Sequence, residues 1–367
     1  MNSNMCKELV PRTRYMCFHV LDQPSFLTEW KDCGNCGRIE AGPEYLAQTT
    51  KKLPCEDCKS QGKWVWTGSK WQEARVEPDR NMKIPEANLH KYMIDTDTAL
   101  KYPRDPTTAN LVQENKIYDD FEKHEPSPYV IQSFLRLPNA NFMPFLSGGS
   151  LQKRLESNQR LDDRHNFLSV LRLEPMAKIE RWAAELSGAV AWLESLGLVH
   201  GDLRPENLLL DAGDHLKLVD FDCVDKIGND SQGNPPPWAR VLGSEAGAQR
   251  GSFGINGPRT EQFAIGSLLY TMTRGHEPYA ELEPGPHIVH LLRDMKFPEL
   301  GQGCLDAIID RCWKGLYDSV ESLAKETAGL NGAVTLPHAE ALDQGYISEM
   351  RDRCQRLVDE GLLDTDE

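Results

Sequence analysis

The chain has 367 residues, 40% of them hydrophobic, which is enough for two domains or for one large two-lobed one with a substantial core. Asp and Glu outnumber Lys and Arg by 56 to 41, and the net charge of −15 argues against nucleic acid and anionic membrane as partners. The opening MNSNMCKELVPRTRYMCFHV lacks the apolar core of a signal peptide, and no stretch approaches the roughly 20 apolar residues of a membrane span, so an intracellular protein, cytoplasmic or nuclear, is expected.

Residues 1–30 read as an N-terminal segment ahead of the first strong pattern, which is made of cysteines. Cys33-x-x-Cys36 and Cys55-x-x-Cys58 are separated by eighteen residues (37 to 54), inside the window of a four-Cys zinc ribbon. Each pair lets two thiolates reach one ion, and Gly34 and Gly37 relieve the backbone where it bends around the metal. The expectation is a ribbon-like module over 31–75 whose Cys33, Cys36, Cys55 and Cys58 hold one structural Zn2+, with Trp30, Trp64, Trp66 and Trp71 as its packing. The other six cysteines are scattered singly, as suits a reducing compartment.

Composition changes near residues 75 to 90, where a domain boundary is expected, and the runs HKYMI and TALKY that follow read as strands. From Glu174 helices dominate. EPMAKIERWAAELSGAVAWLESLG sets Ile179, Trp182, Ala183, Leu186, Val190 and Leu193 on one face and stops at Gly197. That helix delivers the chain into LVHGDLRPENLLLD, where His200, Asp202, Arg204, Glu206 and Asn207 crowd a short turn between two apolar runs. A second apolar helix is expected over TEQFAIGSLLYTMTRG, and residues 331–367 read as an exposed, charged helical tail with an acidic end.

Asn207 follows Asp202 by five positions, and VDFD places Asp220 eighteen residues beyond Asp202. This pattern resembles the catalytic loop and magnesium motif of eukaryotic protein kinases, His-Arg-Asp-x-x-x-x-Asn followed by Asp-Phe-Gly. The resemblance implies that Asp202 orients the substrate hydroxyl, that Asn207 and Asp220 hold Mg2+, and that Arg204 sets positive charge beside the transferring phosphate. TDTALKYPRD resembles the third strand of the kinase small lobe, with Lys101 on the ATP phosphates, and LVQENKIYDDFEKHE resembles helix C, with Glu114 as the partner of Lys101. NFMPFLSGGSLQKRL resembles the fifth strand, hinge and helix D, which implies Met143 behind the adenine and Leu146 offering its backbone N–H. PRTEQFAIGSLLYTMTRGHEPY resembles the helix F region, with Glu261 where Asp is usual, and IIDRCWKG resembles helix H. Over residues 85–325 the resemblance implies an α+β, two-lobed protein-kinase-like fold, with a small lobe over 85–145, a large lobe over 146–330, and ATP and Mg2+ as cofactors. It also implies phosphoryl transfer to a protein Ser or Thr hydroxyl, and the wording of the helix F region resembles the divergent kinase-like proteins of filamentous fungi.

Four departures accompany the match. No glycine occurs between Gly68 and Gly148, so IPEANLHKYM stands where a Gly-rich phosphate loop is usual. Gly201 replaces the Arg before the catalytic Asp, and Asp222 replaces the Gly of the metal motif. No Ala-Pro-Glu closes the activation segment in RGSFGINGPRTEQF. Two other readings stay open on these grounds: a catalytically impaired pseudokinase serving as an interaction module, and a kinase-fold phosphotransferase acting on a small molecule.

Overall fold

The computed structural model describes residues 90–102, 110–162, 167–282 and 285–363, and within the first 89 residues several short strands and Lys59–Ser60. The chain forms two compact units, residues 1–78 with 161–166, and residues 79–160 with 167–367.

In the first unit, Lys7–Val10 pairs antiparallel with Phe26–Thr28 and parallel with Glu44–Tyr45. Arg12–Tyr15 pairs antiparallel with Val20–Asp22 and parallel with Thr49–Lys51, and Trp64–Trp66 forms a hairpin with Trp71–Glu73. The division expected at residue 30 is therefore corrected: strands on either side of it share sheets. Parallel pairing is non-local, and a change of composition cannot reveal it. Cys33, Cys36, Cys55 and Cys58 lie outside the described residues, as do 84–89 of IPEANLHKYM.

The second unit opens with an antiparallel sheet in the order Leu135–Leu137, Ala140–Pro144, Thr98–Tyr102, His90–Met93. Its first hairpin turns at Asp95, whose carboxylate accepts the N–H groups of Asp97 and Thr98 at 2.9 and 3.0 Å, an Asx turn. The period-2 pleat puts Ala99 and Lys101 on one face of the central strand and Leu100 and Tyr102 on the other. The helix Asn110–Phe121 follows, burying Glu114, Ile117, Tyr118 and Phe121 at i, i+3, i+4, i+7 spacing.

The larger part is helical around Met176–Ser195, whose Trp182, Leu186 and Leu193 are fully buried. That helix ends at Gly197, which takes φ +75°, and the chain enters two small hairpins. Leu198–Val199 pairs with Asp225–Lys226, and Leu208–Leu210 pairs with Leu216–Leu218. The polar turn 200–207 is thus held at both ends by ladder hydrogen bonds. Helix Pro258–Arg274 is buried almost all round and packs on Cys304–Lys314. The approach is so close that a Cβ on Gly266 would meet Cys312 Cβ at 2.9 Å.

The C-terminal helix, Gln344–Asp359, is not the exposed tail expected from its charge. Ile347, Met350 and Cys354 are buried, the last two in one cluster with Leu100, Tyr102, Phe134 and Phe142 of the small-lobe sheet. Arg351 Nε donates to Phe134 O at 2.8 Å, and Arg353 pairs with Asp95 at 2.6 Å. A thin stripe at i, i+3, i+7 is enough to dock a helix whose other positions are charged, which is why composition misleads here.

Candidate active site

The site grows from three strand ends and one helix. Lys101 leaves the central small-lobe strand on the face shared with Ala99, and its Nζ pairs with Glu114 and with Asp220 Oδ1, the latter at 2.5 Å. Both Lys101 and Glu114 are almost fully buried. Burial opposes the ammonium, but the carboxylates of Asp220 and Glu114 outweigh it and hold its pKa above the ordinary lysine value. Glu114 Oε1 also accepts the N–H of Phe221 at 3.3 Å. Phe221 is fully buried, edge-on to Tyr118 at 5.3 Å and Phe121 at 5.1 Å, so the helix that carries Glu114 rests on the motif that carries Asp220. Asp220 itself takes φ +74°, an uncommon conformation for a residue with a side chain and one that concentrates at functional sites.

Below this chain of charges lies the turn. Asn207 Nδ2 donates to the backbone carbonyl of Asp202 at 2.9 Å and to its Oδ2 at 2.8 Å, which leaves Oδ1 as the acceptor end of the amide. Arg204 Nε lies 3.1 Å from Asp202 Oδ2. Burial pushes the Asp202 pKa up to about 6, against the opposing pull of Arg204 and Asn207. His200 is fully buried: its Nδ1 accepts the N–H of Asp202 at 3.2 Å, which fixes Nε2 as the protonated nitrogen facing Val219 O at 3.1 Å. Burial brings its pKa down to about 4, so it is a neutral brace. Glu261, from helix Pro258–Arg274, accepts the N–H groups of His200 and Gly201 at 2.8 and 3.4 Å.

Gly201 has φ +76°, and a Cβ there would meet the Cys223 carbonyl at 2.6 Å, so the turn has no room for the arginine that the kinase pattern carries. Asp222 is half-buried, and its charge adds to burial in raising the pKa of Asp202 and of Cys223.

Lys101, Glu114, Asp202, Arg204, Asn207 and Asp220 are thus brought into one polar constellation. Met143 lies directly across the sheet from Ala99 and is buried beside it, whereas Leu146 stands apart in the following loop; among the described residues its N–H has no protein acceptor. One contributor escapes a reading of motifs: Asn234, in the Pro-rich GNPPPW loop, donates to Gly201 O at 2.8 Å. The signal available for Asn234 was only its place in an extended loop downstream of the metal motif. Asn207 and Asp220 would hold a divalent cation through hard oxygen donors beside a buried ammonium, and the cation would supply positive charge for phosphate. Among the described residues no group of three or more His, Cys, Asp or Glu side chains is arranged to hold a metal by itself.

The protein kinase domain family matches residues 100–299, more than half of the chain. Human citron Rho-interacting kinase is 32% identical over 132 residues, which are 33% of this chain and 6% of that protein. Mouse protein kinase C eta type is 30% identical over 162 residues, 41% of this chain and 21% of that one. Human cAMP-dependent protein kinase catalytic subunit PRKX is 26% identical over 195 residues, 51% of this chain and 49% of that one. The chain therefore spans less than half the length of each of these relatives.

Proposed function

Because the chain belongs to the protein kinase domain family, we propose that it is an intracellular Ser/Thr-type kinase that transfers a phosphoryl group from Mg-ATP to a protein hydroxyl. The observation that carries this reading is the continuous set of contacts from Glu114 through Lys101 to Asp220, with Asp202 and Asn207 tied together beneath it. Lys101 holds the α and β phosphates, kept in place by Glu114. Asn207 Oδ1 and the Asp220 carboxylate are the groups that hold Mg2+, which when bound neutralises charge on the phosphate oxygens. Asp202 accepts the hydrogen bond of the incoming hydroxyl and aims it in line. Arg204, already beside Asp202, keeps positive charge near the transferring group. Met143 backs the adenine and Leu146 offers it a backbone N–H.

One observation favours a different reading. The absence of glycine between Gly68 and Gly148 removes the usual means of closing backbone amides on phosphate, as in a pseudokinase that serves as an interaction module. Thermal unfolding with and without Mg-ATP separates the two. A nucleotide at a hundred times its dissociation constant adds about 2.7 kcal/mol of stability, so a clear upward shift supports the kinase, and no shift at millimolar Mg-ATP supports the pseudokinase. We also propose that Cys33, Cys36, Cys55 and Cys58 hold one Zn2+, a reading supported by spacing alone. Metal analysis of chelator-free protein should find close to one equivalent, and less than half an equivalent overturns it.

A further inference from the structure

The peptide bond between Gly201 and Asp202 sets the backbone from which the Asp202 carboxylate grows, and it starts from a residue with unusual freedom. Gly201 takes φ +76°, a region that glycine enters as readily as its mirror image, so the chain by itself does not fix this peptide plane. Two hydrogen bonds do. On one side the N–H of Asp202 donates to His200 Nδ1 at 3.2 Å, which is long, and on the other Asn234 Nδ2 donates to Gly201 O at 2.8 Å. A carbonyl only accepts, so the atom of Asn234 that faces it is the amide nitrogen. The Cys223 carbonyl excludes a Cβ at position 201, so no side chain can reach out of the turn here, and the contact has to come from the loop.

That loop is anchored on both sides of Asn234. Before it, the N–H of Ser231 donates to Gly254 O at 2.8 Å, and Gly233 lies against the Phe253 ring with no room for a Cβ. After it, Pro237 O accepts the buried hydroxyl of Ser267 at 2.7 Å, and Trp238 is buried. The base of the segment is closed by one carboxylate: Asp225 accepts Asn229 Nδ2 at 2.6 Å and Asn256 Nδ2 at 3.1 Å, which joins the two ends of residues 225–256. Ser267 stands on helix Pro258–Arg274, the helix whose Glu261 accepts the N–H groups of His200 and Gly201. The contacts therefore form a closed circuit, from this helix through Pro237 and Asn234 to the Gly201 carbonyl, and back through the Gly201 N–H to Glu261.

We propose that Asn234 is a positioning residue for phosphoryl transfer: by holding the Gly201 carbonyl it fixes the peptide plane ahead of Asp202 and so the aim of the Asp202 carboxylate. The inference rests on the kinase reading for what Asp202 does, and on the hydrogen bonds alone for how Asp202 is held. Asn207 holds the carboxylate itself, whereas Asn234 holds the backbone behind it. Asn234 acts through Asp202, so its loss should lower turnover and spare nucleotide binding, which belongs to Lys101, Asn207 and Asp220. The segment 225–256 keeps the turn in order with its own side chains.

Wild type, Asn234→Ala, Asn234→Asp and Asn234→Gln, each as the full chain, are compared in two assays. Hydrogen exchange read by mass spectrometry needs no catalysis: fragments spanning 198–207 should exchange at least about threefold faster in Asn234→Ala and Asn234→Asp, with fragments of helix Met176–Ser195 unchanged. Phosphoryl transfer, measured on the best acceptor in a degenerate Ser/Thr peptide library, should show kcat lowered about tenfold in both, with the Mg-ATP dissociation constant within about twofold of wild type. Asn234→Asp keeps the shape but loses the donor, and Asn234→Gln keeps a donor on a longer arm and should recover part of both losses. Unchanged exchange over 198–207 overturns the proposal, as does a loss that appears in nucleotide affinity and not in kcat. A wild type that transfers phosphate to no peptide overturns the kinase reading, and with it this role of Asn234, before any variant is made.

Discussion

The carboxylate of Glu261 accepts the backbone N–H of His200 at 2.8 Å, so a helix that begins at Pro258 anchors the turn 200–207. Burial raises the Glu261 pKa to about 7, more than the bonds from His200 and Gly201 lower it. Its unfolded value is near 4.5, so the folded state prefers the protonated acid. The stability this confers is complete below about 4.5 and is lost as pH rises through about 7, at up to roughly 1.4 kcal/mol per unit. Glu261→Gln should flatten that loss while keeping one backbone acceptor, whereas Glu261→Ala leaves the buried N–H of His200 and the partly buried N–H of Gly201 bare and should cost about 2–4 kcal/mol. Urea unfolding of the three proteins at pH 5 and pH 7.5 checks this. An unchanged pH dependence in Glu261→Gln would remove Glu261 as its source.

Activity should report Asp202. Its carboxylate must be ionised to accept the hydroxyl proton, and its pKa is pushed up to about 6, so kcat/KM should rise with pH and level off above about 6. Below that value it should fall about tenfold per unit. Asp202→Asn should lose transfer, by at least about a hundredfold, with nucleotide affinity intact, and Asp220→Asn should weaken Mg2+-dependent nucleotide binding itself. If wild type labels no protein and Asp220→Asn binds nucleotide as well as wild type, the enzyme reading fails.

The parts legible in the sequence are those with short-range signals. The 3.6-residue spacing of Ile179, Trp182, Leu186, Val190 and Leu193 announces the helix Met176–Ser195, and the Asp202-to-Asn207 interval gives the turn, because both patterns sit within a few residues. Partners brought together by packing are illegible. Nothing local links Asn234 to Gly201 or Met350 to Leu100, since each contact depends on where whole helices and loops come to rest. The strand pairing of Arg12–Tyr15 with Thr49–Lys51 is hidden for the same reason.

The docked C-terminal helix should be part of the small lobe's stability. Met350 and Cys354 cover Leu100, Phe134 and Phe142, so Met350→Ala should cost about 2–4 kcal/mol. Arg351→Ala removes a largely exposed pair with Glu122 at 3.1 Å and one bond to a carbonyl, and should cost about 1 kcal/mol or less. Ending the chain at Pro337 should expose the sheet's apolar face, seen as a lowered melting temperature with increased binding of a hydrophobic dye. A truncated protein as stable as the whole chain would mean that the contacts of this helix contribute nothing.

The last prediction concerns Gly201, where the kinase pattern has an arginine that receives an activating phosphate. With φ at +76° and the Cys223 carbonyl 2.6 Å from any Cβ, the position excludes every side chain. Gly201→Ala should therefore destabilise the protein by at least about 2 kcal/mol and lower kcat with it, because the same backbone positions Asp202. The turn has no arginine at this position to be ordered by a phosphate, so phosphatase treatment aimed at Ser231, Ser244 or Ser252 should leave kcat unchanged within about twofold, roughly 0.4 kcal/mol in the barrier. A tenfold fall after dephosphorylation would show that another cation serves as the receptor. Arg240 and Arg250 would be the first to replace.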